Sequence, residues 1–348
     1  MPLNVLQLGP VPPPEGGITR NIFAIRDELL AAGHRCSIVA TSKSERELED
    51  KDIHYPRTKR ELLQLLRTLE FDLLHLHVGG DITPRVLSLA FACTVLARER
   101  CVLTMHSGGY ALSDAGRNAT PMTFAGIVFR RFSAIVAVNE SLAEMFRNFG
   151  VIRRVSAIPP FALRPPARGT LLPDELQAFC ENAHPLFVSV GGLEPDYEPL
   201  LQINAFRKVR EIMPNARLVI VGGGSLRSQV EQVVKTDTDS IILAGNIDHD
   251  VTLALMSKAD ALLRITLFDG DAISVREARY LGTPVIATDN GMRPPDVELV
   301  PVGGEAQLIA AMSKVKKRQP IDLTCLASEN SNIERVLDLY ESVAANSK

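Results

Sequence analysis

The feature that most constrains the fold is an alternation of short apolar runs with longer stretches of helical period, which the chain passes through twice. The apolar runs of the first half lie at residues 5–8, 35–40, 73–77, 101–106 and 134–138. Those of the second half lie at residues 186–190, 217–221, 240–243, 261–265 and 285–288. Strands that alternate with helices are typical of parallel sheets. The pattern predicts an α/β protein made of two doubly wound domains.

A proline-rich segment separates the two halves. Residues 158–167 carry four prolines, so this stretch cannot form a regular helix or a central strand. A chain of 348 residues is also too long for one hydrophobic core of ordinary size. We therefore predict one domain at 1–157, an interdomain linker at 158–170, a second domain at 171–328 and a separate last helix at 329–348.

The last helix has one apolar stripe, which needs a surface to cover it. The stripe consists of Ile333, Val336, Leu337, Tyr340 and Val343.

Composition excludes several classes of protein. The five cysteines are odd in number and scattered, which indicates neither a disulfide framework nor a zinc site and fits a reducing, cytoplasmic setting. No basic segment with an apolar core precedes the first strand, so no signal peptide is predicted. The net charge is -3 and no strongly basic patch is present, which argues against nucleic acid as a partner.

Membrane contact, if it occurs, would be peripheral. The longest apolar stretch, at about residues 86–97, is too short to span a bilayer. The half before the linker is mildly basic and the other half acidic. An anionic surface on the inner face of a membrane would therefore favour the first half.

The segment 266–289 carries the strongest functional signal. Asp269 and Glu277 lie eight positions apart around a loop that turns into a helix. The turn between them is made of Gly270, Asp271, Ala272 and Ile273. Amides of such a turn can point at an anion, and carboxylates accept hydrogen bonds from paired sugar hydroxyls. A hydroxylated, anionic ligand is therefore predicted.

Two glycine turns and one loop lie at further strand ends. Gly16 and Gly17 end a proline-stiffened loop just before a helix, where backbone can approach a phosphate. Gly223 lies in a turn after a buried strand, and Ile247 follows the next strand. The Gly223 turn lacks the spacing of a dinucleotide fingerprint, which disfavours a nicotinamide-dependent oxidoreductase.

Three histidines lie on or after predicted strands. His75 and His77 share one face of a strand, and His106 ends the next one. Imidazoles so placed can bind zinc, but no acidic or cysteine partner has the spacing to complete a site. No metal is therefore expected, and His75 is interpreted as a core histidine.

The segment from Asp269 onward resembles the family 4 retaining glycosyltransferases of the two-Rossmann-domain, GT-B architecture. The family signature is a glutamate, seven residues, a second glutamate, an alanine-rich helix and Gly-x-Pro-Val before a strand. Asp269 replaces the first glutamate and Glu277 matches the second. The resemblance covers nearly the whole chain. It implies two domains facing each other across a cleft, with the last helix crossing back to the first domain.

The resemblance also implies roles. The first domain would bind a glycan, glycolipid or lipid-linked acceptor, and the second a UDP-, GDP- or ADP-sugar donor, with no cofactor and no obligatory metal. Glu277 would bind the ribose, while Asp269 and the amides of 270–273 would bind the sugar and phosphate. His106 would bond the sugar. The turns at Gly16–Gly17, Gly223 and Ile247 would flank the donor.

The chain departs from the family at the cations that neutralise the donor diphosphate. Gly192 stands where an arginine is common, and no lysine lies near 197–198. Arg20, Arg264, Arg276 and Arg293 are possible substitutes. For Arg264 an ion pair with Asp269 or Asp271 is the other interpretation. The missing cations leave open a catalytically degenerate nucleotide-sugar-binding subunit that partners an active transferase. A sugar-nucleotide epimerase is a further alternative.

Overall fold

The chain forms two compact units in a computed structural model. The structure describes residues 2–12, 16–42, 47–152, 154–160, 162–181, 183–269, 271–290, 293–319, 321–327 and 331–346. The first unit comprises residues 1–162 and 330–348, and the second comprises residues 163–329. The divide after residue 162 lies within the segment 158–170 that the sequence marks as a linker.

Within the described residues, the first unit contains seven strands and seven α-helices. The strands are β1 (Asn4–Gly9), β2 (Arg35–Ala40), β3 (Ile53–His54), β4 (Leu73–Val78), β5 (Cys101–Met105), β6 (Ala134–Ala137) and β7 (Val155–Ala157). The helices are α1 (Gly17–Ala31), α2 (Lys59–Thr68), α3 (Pro84–Ala97), α4 (Asp114–Arg117), α5 (Phe124–Phe129), α6 (Glu140–Asn148) and the last helix, α13 (Ser331–Asn346). The strands form one parallel sheet in the order β3-β2-β1-β4-β5-β6-β7.

In the part of the second unit that the structure describes, there are six strands and six α-helices. The strands are β8 (Leu186–Val190), β9 (Arg217–Val221), β10 (Ile241–Gly245), β11 (Ala261–Arg264), β12 (Val285–Thr288) and β13 (Glu298–Val300). The helices are α7 (Asp174–Glu181), α8 (Pro199–Ile212), α9 (Arg227–Val234), α10 (His249–Lys258), α11 (Ile273–Tyr280) and α12 (Glu305–Met312). The sheet is parallel in the order β10-β9-β8-β11-β12-β13.

Both sheets therefore have doubly wound topology, and the predicted fold class is confirmed. Every residue of β4 and of β11 is buried, as expected of central parallel strands with helices on both faces. The strand order reverses beside β1 in the first sheet and beside β8 in the second. At such a reversal a crevice opens beyond the carboxyl ends of the strands, so chemistry is expected there in each unit.

The last helix, α13, packs within the first unit. Its apolar stripe joins a core with β1, α1 and β5. The buried residues of that stripe are Ile333, Val336, Tyr340 and Val343. Arg335 Nη2 also donates a 2.9 Å hydrogen bond to the carbonyl oxygen of Ala157 in β7. The first core therefore contains residues from both ends of the chain.

None of the helices within the described residues is both long enough and apolar enough to cross a bilayer.

Candidate functional site

The carboxyl edge of the second sheet is organised around the carboxylate of Asp269. Arg264, the last residue of β11, donates to it from Nε at 2.6 Å and from Nη2 at 3.1 Å. Arg264 Nη1 also donates to the carbonyl oxygen of Val190, at the end of β8, at 2.9 Å. This two-point contact matches the planar fork of a guanidinium to a carboxylate. Arg264 therefore forms an ion pair with Asp269, which is one of the two interpretations that the sequence left open.

A second guanidinium contacts the same carboxylate. Arg293 Nη1 lies 2.8 Å from Asp269 Oδ2. Its other nitrogens donate to Thr266 Oγ1 and to the carbonyl oxygen of Thr288. Burial raises the pKa of Asp269, but the charges and hydrogen bonds of Arg264 and Arg293 outweigh this, so the net pKa lies below its ordinary value. We call these three residues the Arg264–Asp269–Arg293 cluster; two cations around one anion leave one net positive charge.

The turns after β8 and β9 hold Arg264 in place. Its guanidinium carbon lies 4.9 Å from the ring centroid of Tyr197, which is cation–π distance. A Cβ on Gly191 would lie 2.7 Å from that ring. Gly222 has φ +129°, and a Cβ there would lie 1.9 Å from the carbonyl oxygen of Gly191. Both positions therefore require glycine.

The place where the resemblance leads us to expect cations is filled differently here. Gly192 and Tyr197 bring no charge, and Glu198 brings an acid. Glu198 has a left-handed backbone at φ 42° before α8. Burial raises the pKa of its carboxyl, and Oε2 is buried without a partner among the described residues. The positive charge on this edge of the sheet comes from Arg264 and Arg293.

The helix α11 begins at Ile273, with Ala272 as the residue before it. Ser274, in its first turn, is buried, and its Oγ has no hydrogen-bond partner among the described residues. Asp271 accepts from Arg276 Nε at 2.8 Å and Nη2 at 3.1 Å. The predicted site residue Gly270 lies outside the described residues.

Glu277 lies one turn further along α11 and is buried. Its Oε1 is 2.6 Å from Nε2 of His249, the first residue of α10. No described residue bonds Oε2. The other ring nitrogen of His249, Nδ1, is buried without a partner in the described part of the chain. One carboxylate oxygen is thus held by the imidazole, and the other is available to a ligand.

The remaining predicted residues of the second unit lie at neighbouring turns. The carbonyl oxygen of Gly223 accepts from the amide of Leu193 at 2.9 Å. A Cβ at Gly223 would come no closer than 3.5 Å to the side chain of Asn246. Ile247 is partly buried and packs against the core on the α10 and α11 side of the sheet.

The glycine turn of the first unit faces its own helix. The amide of Gly16 donates to Thr19 Oγ1 at 2.7 Å, and Thr19 Oγ1 donates back to the carbonyl oxygen of Gly16 at 2.6 Å. These bonds close the start of α1, which begins at Gly17. The amide of Gly16 is therefore engaged by the protein itself.

The three histidines form two hydrogen-bonded chains in the first unit. His75 Nδ1 lies 2.5 Å from the Tyr340 hydroxyl of α13, and His75 Nε2 lies 2.7 Å from Thr104 Oγ1. His77 Nε2 lies 3.0 Å from Gln7 Oε1, and His77 Nδ1 lies 3.1 Å from His106 Nε2. His75 is thus a satisfied core residue, as expected.

Burial keeps these imidazoles neutral. It lowers the pKa of His75 to about 3, with a smaller effect from His106, and lowers the pKa of His106 to about 3. Burial also lowers the pKa of His77 well below its ordinary value, and the neighbouring histidines add to the effect. A neutral imidazole has one donor and one acceptor nitrogen, which matters for what His106 can bind.

A metal centre would need more ligands than these. No group of three His, Cys, Asp or Glu side chains within the described ranges could hold an ion.

Sequence reasoning missed several residues of the two sites. His249 is the first residue of a helix that neighbours α11, a position that topology alone could have flagged. Gln7 and Thr104 lie on strands beside β4, where an inward polar side chain needs a partner. Tyr340 could not be paired with His75 from sequence, because 265 residues separate them.

Two family models match the chain. Residues 15–162 match Glycosyltransferase Family 4, and residues 179–298 match Glycosyl transferases group 1. The chain belongs to the glycosyltransferases. Its two Rossmann-like units make it a GT-B glycosyltransferase by family and fold.

Curated relatives of this glycosyltransferase are distant. A protein of Methanocaldococcus jannaschii described as an uncharacterized glycosyltransferase is 28% identical over 30% of this chain and 26% of its own length. Glycosyltransferase 1 domain-containing protein 1 of Xenopus tropicalis is 23% identical over 78% of this chain and 75% of its own length. The chain thus spans about a quarter of the archaeal relative.

Solved glycosyltransferase structures share the fold over nearly all of the chain. The Anabaena protein HepE in complex with UDP gives a TM-score of 0.64 at 14% identity, over 98% of this chain and 100% of that one. The catalytic domain of Arabidopsis thaliana starch synthase IV, bound to ADP and acarbose, gives 0.67 at 12%, over 99% and 100%. A Rickettsia africae glycosyltransferase gives 0.67 at 16%, over 98% of each chain.

Proposed function

We propose that this glycosyltransferase moves a sugar from a nucleotide-diphosphate donor to an acceptor hydroxyl, with retention of anomeric configuration and without an obligatory metal. The Arg264–Asp269–Arg293 cluster carries the proposal, because it supplies positive charge at the carboxyl edge of the second sheet. A diphosphate leaving group needs such charge as its bond to the sugar breaks. Relatives crystallised with UDP or ADP support a nucleotide donor.

Arg264 is the cation proposed to replace the missing arginine and lysine. Three of its five N–H groups donate to Asp269 and Val190, and Tyr197 also interacts with the guanidinium; we assign one of the remaining N–H groups to a phosphate oxygen. A guanidinium is suited to this task, since it stays charged when buried and presents its donors in a fixed plane. Asp269 is assigned to hold Arg264, because both of its oxygens already accept guanidinium hydrogens.

Helix α11 is proposed to bind the rest of the nucleotide. Its first turn offers to a phosphate its backbone amides and the Ser274 hydroxyl, which no described residue bonds. Glu277 Oε2 accepts a ribose hydroxyl, while Oε1 stays with His249. Both groups lie on one helix, so a single ligand can reach them.

The reaction needs no covalent intermediate on the protein. The bond from the anomeric carbon to the phosphate oxygen breaks, and the acceptor oxygen bonds that carbon on the same face. The acceptor proton passes to the departing phosphate. His106 is assigned to accept a hydrogen bond from a sugar hydroxyl. Catalysis is then largely positioning and charge stabilisation.

A lipid-linked acceptor at an anionic membrane is proposed from one surface of the first unit. Residues 115–139 contain no Asp or Glu. In this stretch Met122, Phe124 and Ile127 are exposed by 89%, 55% and 48%, and Arg130 and Arg131 are also exposed. Apolar side chains beside arginines suit the boundary of an anionic bilayer.

Ligand-dependent thermal stabilisation tests the donor site. The protein is titrated with UDP, GDP, ADP and their glucose conjugates, with and without EDTA, since a ligand that binds only the native state raises the Tm. One nucleotide family should give a shift that EDTA does not change. Glu277→Gln should weaken that nucleotide about tenfold through loss of a charged hydrogen bond. The exposed Glu231→Gln is the matched control and should leave affinity unchanged.

Turnover and stereochemistry complete the test. With an accepted hydroxyl substrate, the product's anomeric configuration is determined by NMR, and retention is expected. Absence of a shift with every nucleotide contradicts the donor site. A shift without turnover on any acceptor identifies a binding subunit instead of an enzyme.

A further inference from the structure

We propose that Gln7 and His77 are positioning residues that hold His106 in one neutral tautomer, with the proton on Nε2 and a lone pair on Nδ1. His106 then binds its ligand only as a hydrogen-bond acceptor. The identity of that ligand as a sugar rests on the proposed function. The tautomer itself follows from contacts within the first unit.

The first step is the orientation of the Gln7 amide. Gln7 lies on β1 with no solvent exposure. Its Nε2 is 3.0 Å from the carbonyl oxygen of Ile22, which can only accept, and 3.3 Å from Cys36 Sγ. An amide flip would place Oε1 against that carbonyl oxygen. Nε2 therefore points at α1, and Oε1 points at His77.

The second step is the proton on His77. Gln7 Oε1 is an acceptor, so the nitrogen 3.0 Å from it, His77 Nε2, must carry hydrogen. His77 is buried within β4 and neutral at pH 7, because burial lowers its pKa well below the ordinary value. Its Nδ1 consequently carries no hydrogen and can only accept a hydrogen bond.

The third step passes the constraint to His106. His106 Nε2 lies 3.1 Å from His77 Nδ1, so Nε2 must donate. The backbone amide of His106 is bonded to the carbonyl oxygen of Val78 at 2.8 Å, which fixes the start of the side chain. His106 is also neutral, and no described residue bonds its Nδ1. That nitrogen is the acceptor offered to a ligand.

This polarity sets the ligand chemistry. A ring nitrogen with a lone pair accepts a hydrogen bond from a hydroxyl or N–H group and repels a carbonyl or phosphate oxygen. His106 is therefore matched to a ligand hydroxyl and is not an anion site. A histidine free to change tautomer would lose this discrimination, since it could bind either kind of group.

Nitrogen NMR of the full chain tests the tautomer directly, without any ligand. Chemical shifts of the imidazole nitrogens separate protonated from unprotonated positions. In the unchanged protein, His77 and His106 should both carry hydrogen on Nε2 at pH 7. Gln7→Met should abolish the single-tautomer signature of both residues. Tyr340→Phe, which removes the hydrogen bond to His75, disturbs the same buried region and should leave the His106 signature intact.

Binding tests the consequence for the sugar. UDP-glucose and ADP-glucose are compared with UDP and ADP, so that the sugar's own contribution is isolated. Gln7→Met and His77→Leu should reduce the preference for the sugar conjugate about three- to tenfold, the range expected for one hydrogen bond. Affinity for the bare nucleotide should not change. His77→Asn places an amide oxygen near the former Nδ1 and should restore much of the preference.

The outcomes separate the two proposals. Hydrogen on His106 Nδ1 in the unchanged protein, or a His106 signature unaltered by Gln7→Met, overturns the positioning role. If NMR shows hydrogen on Nε2 of His106 but no nucleotide binds, the tautomer proposal is supported and only the donor-site proposal is contradicted. An equal loss of sugar preference in Tyr340→Phe and Gln7→Met would show a general structural effect and also overturn the proposal.

Discussion

At the scale of single residues, the arginine fork at Asp269 is the main determinant of the second site. The carboxylate has a side-chain exposure of 9%, and Arg264 and Arg293 have exposures of 10% and 2%. Charges removed from water to this degree are stable only when paired. The cluster thus has a structural task as well as an electrostatic one, because Asp269 keeps two buried cations compatible with the fold.

Replacing Asp269 should therefore destabilise the second unit. Asp269→Asn leaves two buried guanidinium groups without their counterion, and the free energy of unfolding should fall by about 3 kcal/mol. Hydrogen exchange of the β11 and β12 amides measures the effect. Asp271→Asn is the comparison, since its partner Arg276 is more exposed than Arg264 and Arg293, and it should cost less than Asp269→Asn. Unchanged β11 and β12 protection in Asp269→Asn would mean that the carboxylate is not the counterion.

At the scale of elements, the turn after β9 fits closely against the turn after β8. The amide of Gly191 donates to the carbonyl oxygen of Val221 at 3.0 Å, and the amide of Leu193 donates to Gly223. Gly191, in the turn after β8, lies close to the ring of Tyr197, and the guanidinium of Arg264 stacks on that ring. Backbone contact between two turns therefore sets the position of the proposed phosphate cation.

A pair of alanine substitutions tests this contact. Gly222→Ala should lower the free energy of unfolding by about 2–3 kcal/mol, because the new Cβ collides with the Gly191 carbonyl oxygen and the backbone is left-handed. It should also weaken nucleotide binding by moving Arg264. Gly223→Ala has room for its Cβ and should cost less than about 1 kcal/mol. Urea denaturation measures the free energy of unfolding, and the thermal-shift assay measures nucleotide binding. Equal effects of the two substitutions would contradict a close contact between the turns after β8 and β9.

The last helix offers a second test at this scale. Ile333 of α13 is buried at 1% exposure in the core of the first unit. Ile333→Ala should cost about 2–4 kcal/mol through lost burial and the cavity that remains. Hydrogen exchange should register the loss in β1 and β5. Glu334→Ala, at an exposed neighbour, should stay within about 0.5 kcal/mol, and a similar loss there would argue against docking of this face.

At the scale of the whole molecule, two sheets of similar topology carry different chemistry. The first has imidazoles that burial keeps neutral at His75, His77 and His106. The second has the Arg264–Asp269–Arg293 cluster, in which the arginines keep the Asp269 carboxylate ionised. The two units should therefore respond to acid in different pH ranges.

The first unit should lose stability in mild acid. The folded-state pKa of His75 and His106 is about 3, against about 6.5 in an unfolded chain, so between these values the unfolded state binds more protons. Each histidine contributes its full stabilisation above pH 6.5, and this contribution to the free energy of unfolding decreases as the pH drops toward 3. In this range the free energy of unfolding changes by up to about 1.4 kcal/mol per pH unit for each histidine. Hydrogen exchange at pH 7.5 and 5.5, corrected for intrinsic rates, should show weaker protection of β4 and β5.

The second unit is the internal control for this acid effect. The pKa of Asp269 is lowered, so its contribution is present above the unfolded value of about 3.9 and is lost only below it. Protection of β11 and β12 should therefore be the same at pH 7.5 and 5.5. Equal losses in the two units would contradict the assignment to the histidines.

Central strands were predictable from sequence, and of the four edge strands only β10 was predicted. β2, β8, β9 and β12 have the predicted bounds, because each is a mainly apolar run between turn signals. β3, β7 and β13 were missed. They are edge strands of two or three residues, so they pair on one side only and need no apolar run. The helices α4, α5, α7 and α12 were also missed, because no helix was predicted in their segments.

The site was predictable as a set of positions but not as a set of bonds. The order of strands and helices along the chain places Arg264, Asp269 and Glu277 at the carboxyl edge of the second sheet, because parallel strands end at the same edge. Which oxygen faces which nitrogen depends on side chains brought together from distant segments. His249 next to Glu277, and Gln7 next to His77, are contacts of this kind.

The sequence by itself determined the two doubly wound sheets, since apolar periodicity and turn residues are local properties of the chain. Tertiary structure alone decided how each charge is used. Asp269 and Glu277 look equivalent along the chain, yet one holds two guanidinium groups and the other keeps an oxygen that no described residue bonds. Desolvation and hydrogen-bond partners make that difference, and both depend on which distant residues the fold brings into contact.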